Sequence, residues 1–265
     1  MTMRVFSYGG GVQSTAALVL AARGEIDFRT FLFCNVGNDS ENPKTIEYIE
    51  KYAKPYANAN GIKLIELVRI PVKGPNKGKV QTVYEKCIAD NRSINIPIWM
   101  QGGGMGNRTC TAEFKIKVVA KWLRDHSATK DNVAVVGLGI SMDEVHRMNV
   151  SRINILENHF PLIELGINRM DCVKIIEIAH IPVPPRSACC FCPFKRVREW
   201  KEMRVNDPEM FRKAIEFEDA INKKRERLGR DHVFLHESAI KLEDAVGIQH
   251  SLFDEDGCDS GYCFT

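Results

Sequence analysis

Ser7-Tyr8-Gly9-Gly10-Gly11-Val12-Gln13-Ser14 is the stretch whose reading decides the fold of this chain. Before it, Arg4-Val5-Phe6-Ser7 reads as the end of a buried strand. After it, Thr15-Ala16-Ala17-Leu18-Val19-Leu20 reads as an apolar helix. Three consecutive glycines let the main chain turn tightly and approach a ligand closely. The helix start then offers unpaired N–H groups and a positive dipole end to an anion, typically a phosphate. No Gly-Lys-Ser/Thr ending is present, and the glycines are too bunched for Gly-x-Gly-x-x-Gly. A ligand-free glycine turn uses the same residues, so the rest of the chain has to decide.

Outward from the loop, strand and helix patterns alternate. Residues 28–34 read as a second buried strand, 43–60 as a helix opened by Asn42-Pro43, and 63–68 as a third strand. A Gly/Pro/Lys-rich surface loop follows at 71–79, then a short helix at 82–89 and an aperiodic stretch at 91–109. An amphipathic helix at 111–124 leads into the strongest strand, 133–138. This order predicts an α/β fold, a mostly parallel twisted sheet with helices on both faces. Near residue 150 the texture changes, which predicts a nucleotide-binding domain over 1–150 and a helical, cysteine-bearing extension over 151–265. That extension reads as a helix at 170–179, an extended Ile181-Pro182-Val183-Pro184-Pro185 connector, a cysteine loop, a polar helix at 207–228 and a Gly/Asp/Cys-rich tail.

Composition sets the outer bounds. A chain of 265 residues with 44% hydrophobic content supports one sizeable core. No apolar run approaches the ~20 residues that span a bilayer, and the N-terminus enters a strand without a secretory segment, so a cytoplasmic location and no membrane partner are expected. The net charge of +3 does not by itself point to nucleic acid. The basic runs Lys195-Arg196-Val197-Arg198 and Lys223-Lys224-Arg225-Glu226-Arg227 read as solvated helix faces. Oligomeric state is not readable from the sequence.

In an open parallel sheet ligands gather beyond the carboxyl ends of the strands. Besides the glycine loop, that places Asn35-Val36-Gly37-Asn38-Asp39-Ser40-Glu41 and Gly139-Ile140-Ser141-Met142-Asp143-Glu144-Val145-His146-Arg147 at one crevice. Asp143 and Glu144 fit two roles, as caps of a helix starting after Ser141 or as catalytic or metal-binding carboxylates.

Nine cysteines without an export signal are not expected to form a disulfide framework. Cys34, Cys87 and Cys172 sit in apolar or helical settings and read as core thiols. Cys189-x-x-Cys192 and Cys258-x4-Cys263 make two short-spaced pairs, the usual construction of structural zinc sites and iron–sulfur clusters. Spacing alone does not separate zinc from a [4Fe-4S] cluster, nor say whether Cys190 or Cys110 joins the set. Cys110, beside Arg108 and before a helix, reads as a thiol of lowered pKa.

The motifs Gly9 to Ser14, Asn35-Val36-Gly37-Asn38, Arg108-Thr109-Cys110-Thr111 with Phe114-Lys115-Ile116, and Gly139-Ile140-Ser141-x-Asp143-Glu144-x-x-Arg147 occur in a telling order. Pro161-Leu162, Pro185-Arg186-Ser187-Ala188-Cys189-Cys190-Phe191-Cys192-Pro193-Phe194 and Asp207-Pro208 continue it. Together they resemble the phosphoadenosine-phosphosulfate (PAPS) reductase-like proteins of the adenine nucleotide α-hydrolase (PP-loop ATP pyrophosphatase) superfamily, closest to the branch found in phages and mobile elements.

The resemblance implies that an adenine nucleotide, ATP or a PAPS-like molecule, lies against Ser7, Gly9, Gly10, Gly11, Gln13 and Ser14, with Asn35, Gly37, Gly139 and Arg147 around it. It also implies Mg²⁺, and catalytic roles for Arg108, Cys110, Lys115 and Asp143, the guanidinium fork of Arg108 matching phosphate oxygens. Gly9 stands where the superfamily has serine, Gln13 where it has aspartate, and Asn35 where an aspartate is common. A neutral Gln13 bonds phosphate or water but does not hold a metal as a carboxylate would. Cys189-Cys190 resembles the adjacent cysteines of cluster-bearing adenylyl-sulfate reductases. The tail, however, lacks the reductases' Glu-Cys-Gly-x-His.

Three functions stay open at this stage. The first is an enzyme that cleaves ATP between α and β phosphates and adenylates an acceptor, by family analogy a nucleic acid, for attack by sulfur or another nucleophile. The second is a thiol-dependent PAPS or adenylyl-sulfate reductase served by a thioredoxin-like reductant. The third is an adenine-nucleotide-binding protein without chemistry.

Overall fold

The computed structural model describes residues 2–247, so the tail cysteines Cys258 and Cys263 lie outside the described residues. In chain order the elements are β1 (Arg4–Tyr8), α1 (Val12–Ala22), β2 (Thr30–Asn35), α2 (Pro43–Tyr48), a π-helical turn Ile49–Ala53, α3 (Lys54–Ala59) and β3 (Lys63–Val68). Then come α4 (Val83–Ile88), β4 (Trp99–Met100), a π-helical turn Ala112–Ile116 running into α5 (Lys117–Asp125), β5 (Ala134–Leu138) and a 3-10 segment Met142–Arg147. The remainder is β6 (Leu156–His159), α6 (Pro161–Glu164), α7 (Arg169–Ile178), α8 (Val197–Asn206), α9 (Pro208–Arg227), β7 (Val233–Phe234) and α10 (Leu242–Gly247). Among the described residues no helix is long and apolar enough to cross a membrane.

These residues fall into two compact units, one of 2–80 and 112–187, the other of 81–111 and 188–247. Residue 150, where the sequence changes texture, lies inside the first.

The first unit is an α/β layer structure. Its five strands run in the order β3-β2-β1-β5-β6 and every neighbouring pair is parallel. Alternate residues of the central strands serve opposite faces. Phe6, Tyr8, Phe31 and Phe33 pack toward α1, the 43–59 helix and α7, with Leu18, Ile49 and Ile176. Val5, Leu32 and Cys34 pack the other way with Val136 and Leu138, onto Val119, Ala120 and Leu123 of α5. Both faces are therefore covered, the condition for an all-parallel sheet. In register, Phe6 lies between Phe31 on β2 and Gly137 on β5. The Phe6 and Phe31 rings stack at 4.9 Å and Phe28 meets Phe6 edge-on at 5.6 Å. A Cβ on Gly137 would come 2.5 Å from Phe6 and 2.9 Å from Phe28, so glycine is what lets β5 pass this aromatic group.

The helix expected over 43–60 is interrupted. Lys54 N–H bonds to Ile49 C=O, a five-residue step, immediately before Pro55. Proline has no N–H for the preceding turn and its ring crowds the carbonyl four residues back, and a widened turn absorbs both effects.

The second unit is organised around the 20-residue α9. Phe217 stacks on Phe191 at 3.7 Å and meets Tyr84 at 5.3 Å. Three buried polar side chains of α9 then bond main-chain groups of neighbouring short elements and loops. The Glu218 carboxylate accepts from Leu235 N–H at 2.7 Å and Leu242 N–H at 2.8 Å. Asn222 donates to and accepts from Val233 at 2.9 Å each, as a neighbouring strand would. Lys224 donates to Cys87 C=O at 2.8 Å and Ser93 C=O at 2.9 Å. The expectation that the 223–227 run is a solvated face is therefore corrected at Lys224, which is 1% exposed. Its ammonium satisfies a carbonyl in the last turn of α4 and a loop carbonyl, and burial lowers its pKa.

Candidate functional site

β1 and β5 are neighbours, yet the chain leaves β1 outward through β2 and β3 on one side and leaves β5 outward through β6 on the other. This is the topological switch point of an open sheet, where the loops beyond the strands diverge and leave a crevice. Two glycine-bearing loops meet there. A Cβ on Gly139 would lie 3.2 Å from the Ser14 nitrogen and 3.4 Å from the Gln13 carbonyl carbon, so the loop after β5 runs against the first turn of α1. Gly10 adopts φ +76°, and a Cβ there would lie 2.8 Å from the Thr45 methyl.

The start of α1 is open. Asn42, Thr82 and Asn168 cap α2, α4 and α7 with side-chain hydrogen bonds. Gly11, at the corresponding position of α1, supplies no such bond, and the first turn contains no acidic residue. The Ser14 hydroxyl donates to Gly11 C=O at 3.0 Å. Thr45, which turns its methyl to Gly10, is fully buried, and its hydroxyl has no hydrogen-bond partner. Ser7 is buried at the end of β1, and Gly9 turns away from it with its nearest would-be Cβ contact, Ser14 Oγ, at 3.9 Å.

Gln13 belongs to a charged network in the same unit. Its amide nitrogen donates to Glu144 at 3.4 Å and its amide oxygen accepts from the Arg169 guanidinium at 3.3 Å. Glu144 forms a 2.6 Å ion pair with Arg147, whose side chain is 7% exposed and whose Nε has no partner. The Asp143 carboxylate accepts from Arg169 N–H at 2.6 Å and from the Ser141 hydroxyl at 3.2 Å. Asp143 caps a helix start, with a change of partner. It serves the start of α7, 26 residues on, and not the 3-10 segment that contains it.

Beyond β2, Asn35 is an internal organiser. Its side-chain oxygen accepts from Gly37 N–H at 2.8 Å, while its amide donates to Glu66 at 2.8 Å and Asn38 at 3.1 Å. Gly37, at φ +119°, closes that turn. Lys115 lies near this strand end. Its carbonyl accepts from Cys34 Sγ at 3.7 Å, and its charge partly opposes the burial that pushes the Cys34 thiol up to about 12. Burial likewise pushes Cys87 up to about 11 and Cys172 up to about 12, in keeping with their reading as core thiols.

The 108–115 motif is divided between the units: Lys115 belongs to the first, Arg108 and Cys110 to the second. In the second unit the Arg108 guanidinium donates to the Thr111 hydroxyl at 2.8 Å and lies 5.4 Å from the Phe194 ring centre. Thr109, next to Cys110, is tied to Asn95 by a 2.8 Å side-chain bond. Cys189 and Cys192 flank a turn closed by Cys192 N–H to Cys189 C=O at 3.1 Å. Both are half-buried, whereas Cys190 is 2% exposed. The turn thus presents the two thiols that the spacing singled out and withdraws the third. Among the described residues no group of three or more His, Cys, Asp or Glu stands together as a metal site.

Two residues of the crevice escaped the sequence reading, Thr45 and Arg169. Arg169 did leave a signal: a cation at the first position of a helix opposes the dipole.

No protein-family model matches the chain. No curated protein matches it either. Among solved structures it is similar to the U34-tRNA thiolase NcsA from Methanococcus maripaludis with its [4Fe-4S] cluster, at 10% identity and a TM-score of 0.43, over 83% of this chain and 72% of that chain.

Proposed function

We propose that the first unit binds an adenine nucleotide with its phosphates on the Gly9-Gly10-Gly11 loop, and that the protein is an ATP pyrophosphatase-type enzyme which adenylates an acceptor. The observation that carries this reading is the uncapped start of α1, reached through three glycines at the switch point between β1 and β5. Main-chain N–H groups and the helix dipole favour phosphate there, and the close backbone needs no side chain. Ser7, Gln13, Ser14, Asn35, Gly37, Gly139 and Arg147 complete the nucleotide surroundings in this reading.

The chemistry follows from the phosphate that is held. An acceptor oxygen attacks the α-phosphorus, the bond from that phosphorus to the bridging oxygen breaks, and pyrophosphate leaves on the glycine loop. A sulfur or other nucleophile then adds to the activated carbon, the carbon–oxygen bond breaks, and AMP leaves. Lys115 and Arg108 are the proposed cations for developing negative charge, and Cys110 the proposed sulfur-carrying thiol. A nucleic acid is the proposed acceptor class, by family analogy. The side chains around the loop make a poor Mg²⁺ seat: Gln13 is neutral and turns its oxygen to a guanidinium, Glu144 is paired with Arg147, and Asp143 takes both of its donors on one carboxylate oxygen. No step is therefore routed through a metal. Cys189 and Cys192 fit two of four thiolate ligands for zinc or a [4Fe-4S] cluster. Zinc there would be structural, while a cluster would supply electron transfer or bound sulfide.

The test is incubation of purified protein with ATP and candidate RNA or DNA acceptors, reading AMP and pyrophosphate. Acceptor-dependent release of both is expected. ATP binding without either product across all acceptors defeats the adenylation claim and leaves a binding protein. Sulfite release from PAPS under reducing conditions would instead favour the reductase.

A further inference from the structure

We infer that Arg169 is a phosphate ligand of the crevice and replaces, with Gln13, the divalent cation that carboxylate-bearing phosphate loops rely on. This rests on the nucleotide-binding reading above and specifies how the charge is met.

Donors and acceptors around the first turn of α1 are unevenly matched. Every carboxylate around the first turn of α1 already has a donor: Glu144 holds Arg147 at 2.6 Å, and Asp143 holds Arg169 N–H at 2.6 Å and the Ser141 hydroxyl at 3.2 Å. The Arg169 guanidinium has no such partner. Its contact among the described residues is the neutral Gln13 amide oxygen at 3.3 Å, a weak bond for an ion. It also stands at the first position of α7, where the dipole repels a cation. An anion at the open start of α1 meets this, because that uncapped helix end and the guanidinium then share it.

One buried donor belongs to the same network: Arg147 Nε has no partner, and its guanidinium joins Gln13 through Glu144. Gln13 fixes the geometry: its amide nitrogen is taken by Glu144, which leaves its oxygen to aim Arg169. A neutral amide oxygen turned to a guanidinium is a poorer Mg²⁺ ligand than a carboxylate. Arg169 is exposed, and its structural contact to Asp143 runs through its backbone N–H. Its side chain is therefore removable without loss of that tie.

The experiment titrates ATP into wild type, Arg169→Ala, Arg169→Lys and Gln13→Asp, each with Mg²⁺ and with EDTA, after thermal melts confirm folding. Wild type is expected to bind within about twofold in the two conditions. Arg169→Ala should lose about tenfold or more, and Arg169→Lys an intermediate amount, because the fork is lost while the charge stays. Gln13→Asp should bind poorly in EDTA and recover with Mg²⁺. Wild-type affinity that collapses in EDTA, or an Arg169→Ala affinity equal to wild type, overturns the inference. If ATP binds and Gly11→Asp abolishes binding while Arg169→Ala does not weaken it, only this inference falls. If no adenine nucleotide binds wild type, both it and the reading it rests on fall.

Discussion

Gly10→Ala, set against the same change at its two neighbours, tests how the loop is built. Gly10 holds φ +76°, and an alanine Cβ would lie 2.8 Å from the methyl of Thr45, which is fully buried and β-branched. The left-handed backbone costs a non-glycine residue about 1–2 kcal/mol. Forcing a methyl against a stiff buried neighbour adds about 1–3 kcal/mol. The expected loss is roughly 2–4 kcal/mol. Gly11, at φ −103° and with nothing within 4 Å of a Cβ, should lose under about 1 kcal/mol, the difference between glycine and alanine as a helix cap. Gly9 has its nearest Cβ contact at 3.9 Å and should behave like Gly11. Urea unfolding read as a shift in midpoint at constant slope separates the three. ATP affinity should show the reverse ranking between two of them, because Gly11→Ala keeps the fold and places a methyl where backbone meets phosphate. Equal stability of Gly10→Ala and Gly11→Ala would refute the reasoning.

Three further outcomes are expected. Burial pushes Glu218 up to about 7 from 4.5, against the pull of two backbone N–H donors. The folded state therefore keeps a proton that the unfolded state releases, and stability falls as pH rises from about 4.5 to about 7, by up to about 1.4 kcal/mol per pH unit. Glu218→Gln should flatten that slope, gaining on wild type between about pH 5 and about pH 8, and an unchanged slope in urea midpoints contradicts it. Gly137→Ala should cost about 1–3 kcal/mol by driving a methyl into Phe6 and Phe28, and a melting temperature equal to wild type refutes that packing. Anaerobically purified protein should contain zinc, or absorb near ~400 nm as an iron–sulfur protein, and lose the metal in Cys189→Ser and Cys192→Ser but not in Cys190→Ser. Equal metal content in all three variants removes the cysteine pair from the site.

Much of the first unit was legible because its signals are local. The strand–glycine–helix run at 4–20 and the strand at 63–68 each carry their own periodicity, and their alternation predicts the parallel sheet. What escaped depends on contacts distant in sequence. Leu156-Glu157-Asn158-His159 is too short and polar to stand out as a strand, yet it is the edge strand β6, where polar residues are tolerated on an unpaired side. Lys224 reads as surface charge until Cys87 and Ser93 bring their carbonyls to it from more than 130 residues away. Asp143 reads as a cap for its own segment, and only the packing of α7 shows which helix it caps. Arg169 sits outside every motif quoted from the sequence, since nothing local links it to Gln13.

The central claim is that phosphate binds on the Gly9-Gly10-Gly11 loop, and calorimetric titration of ATP and of pyrophosphate into wild type and Gly11→Asp tests it most directly. The account expects saturable binding of one molecule per chain for both ligands, abolished when an aspartate places negative charge at the helix start. Wild-type protein that shows no saturation up to millimolar ATP, or a Gly11→Asp variant that binds as tightly as wild type, would contradict it.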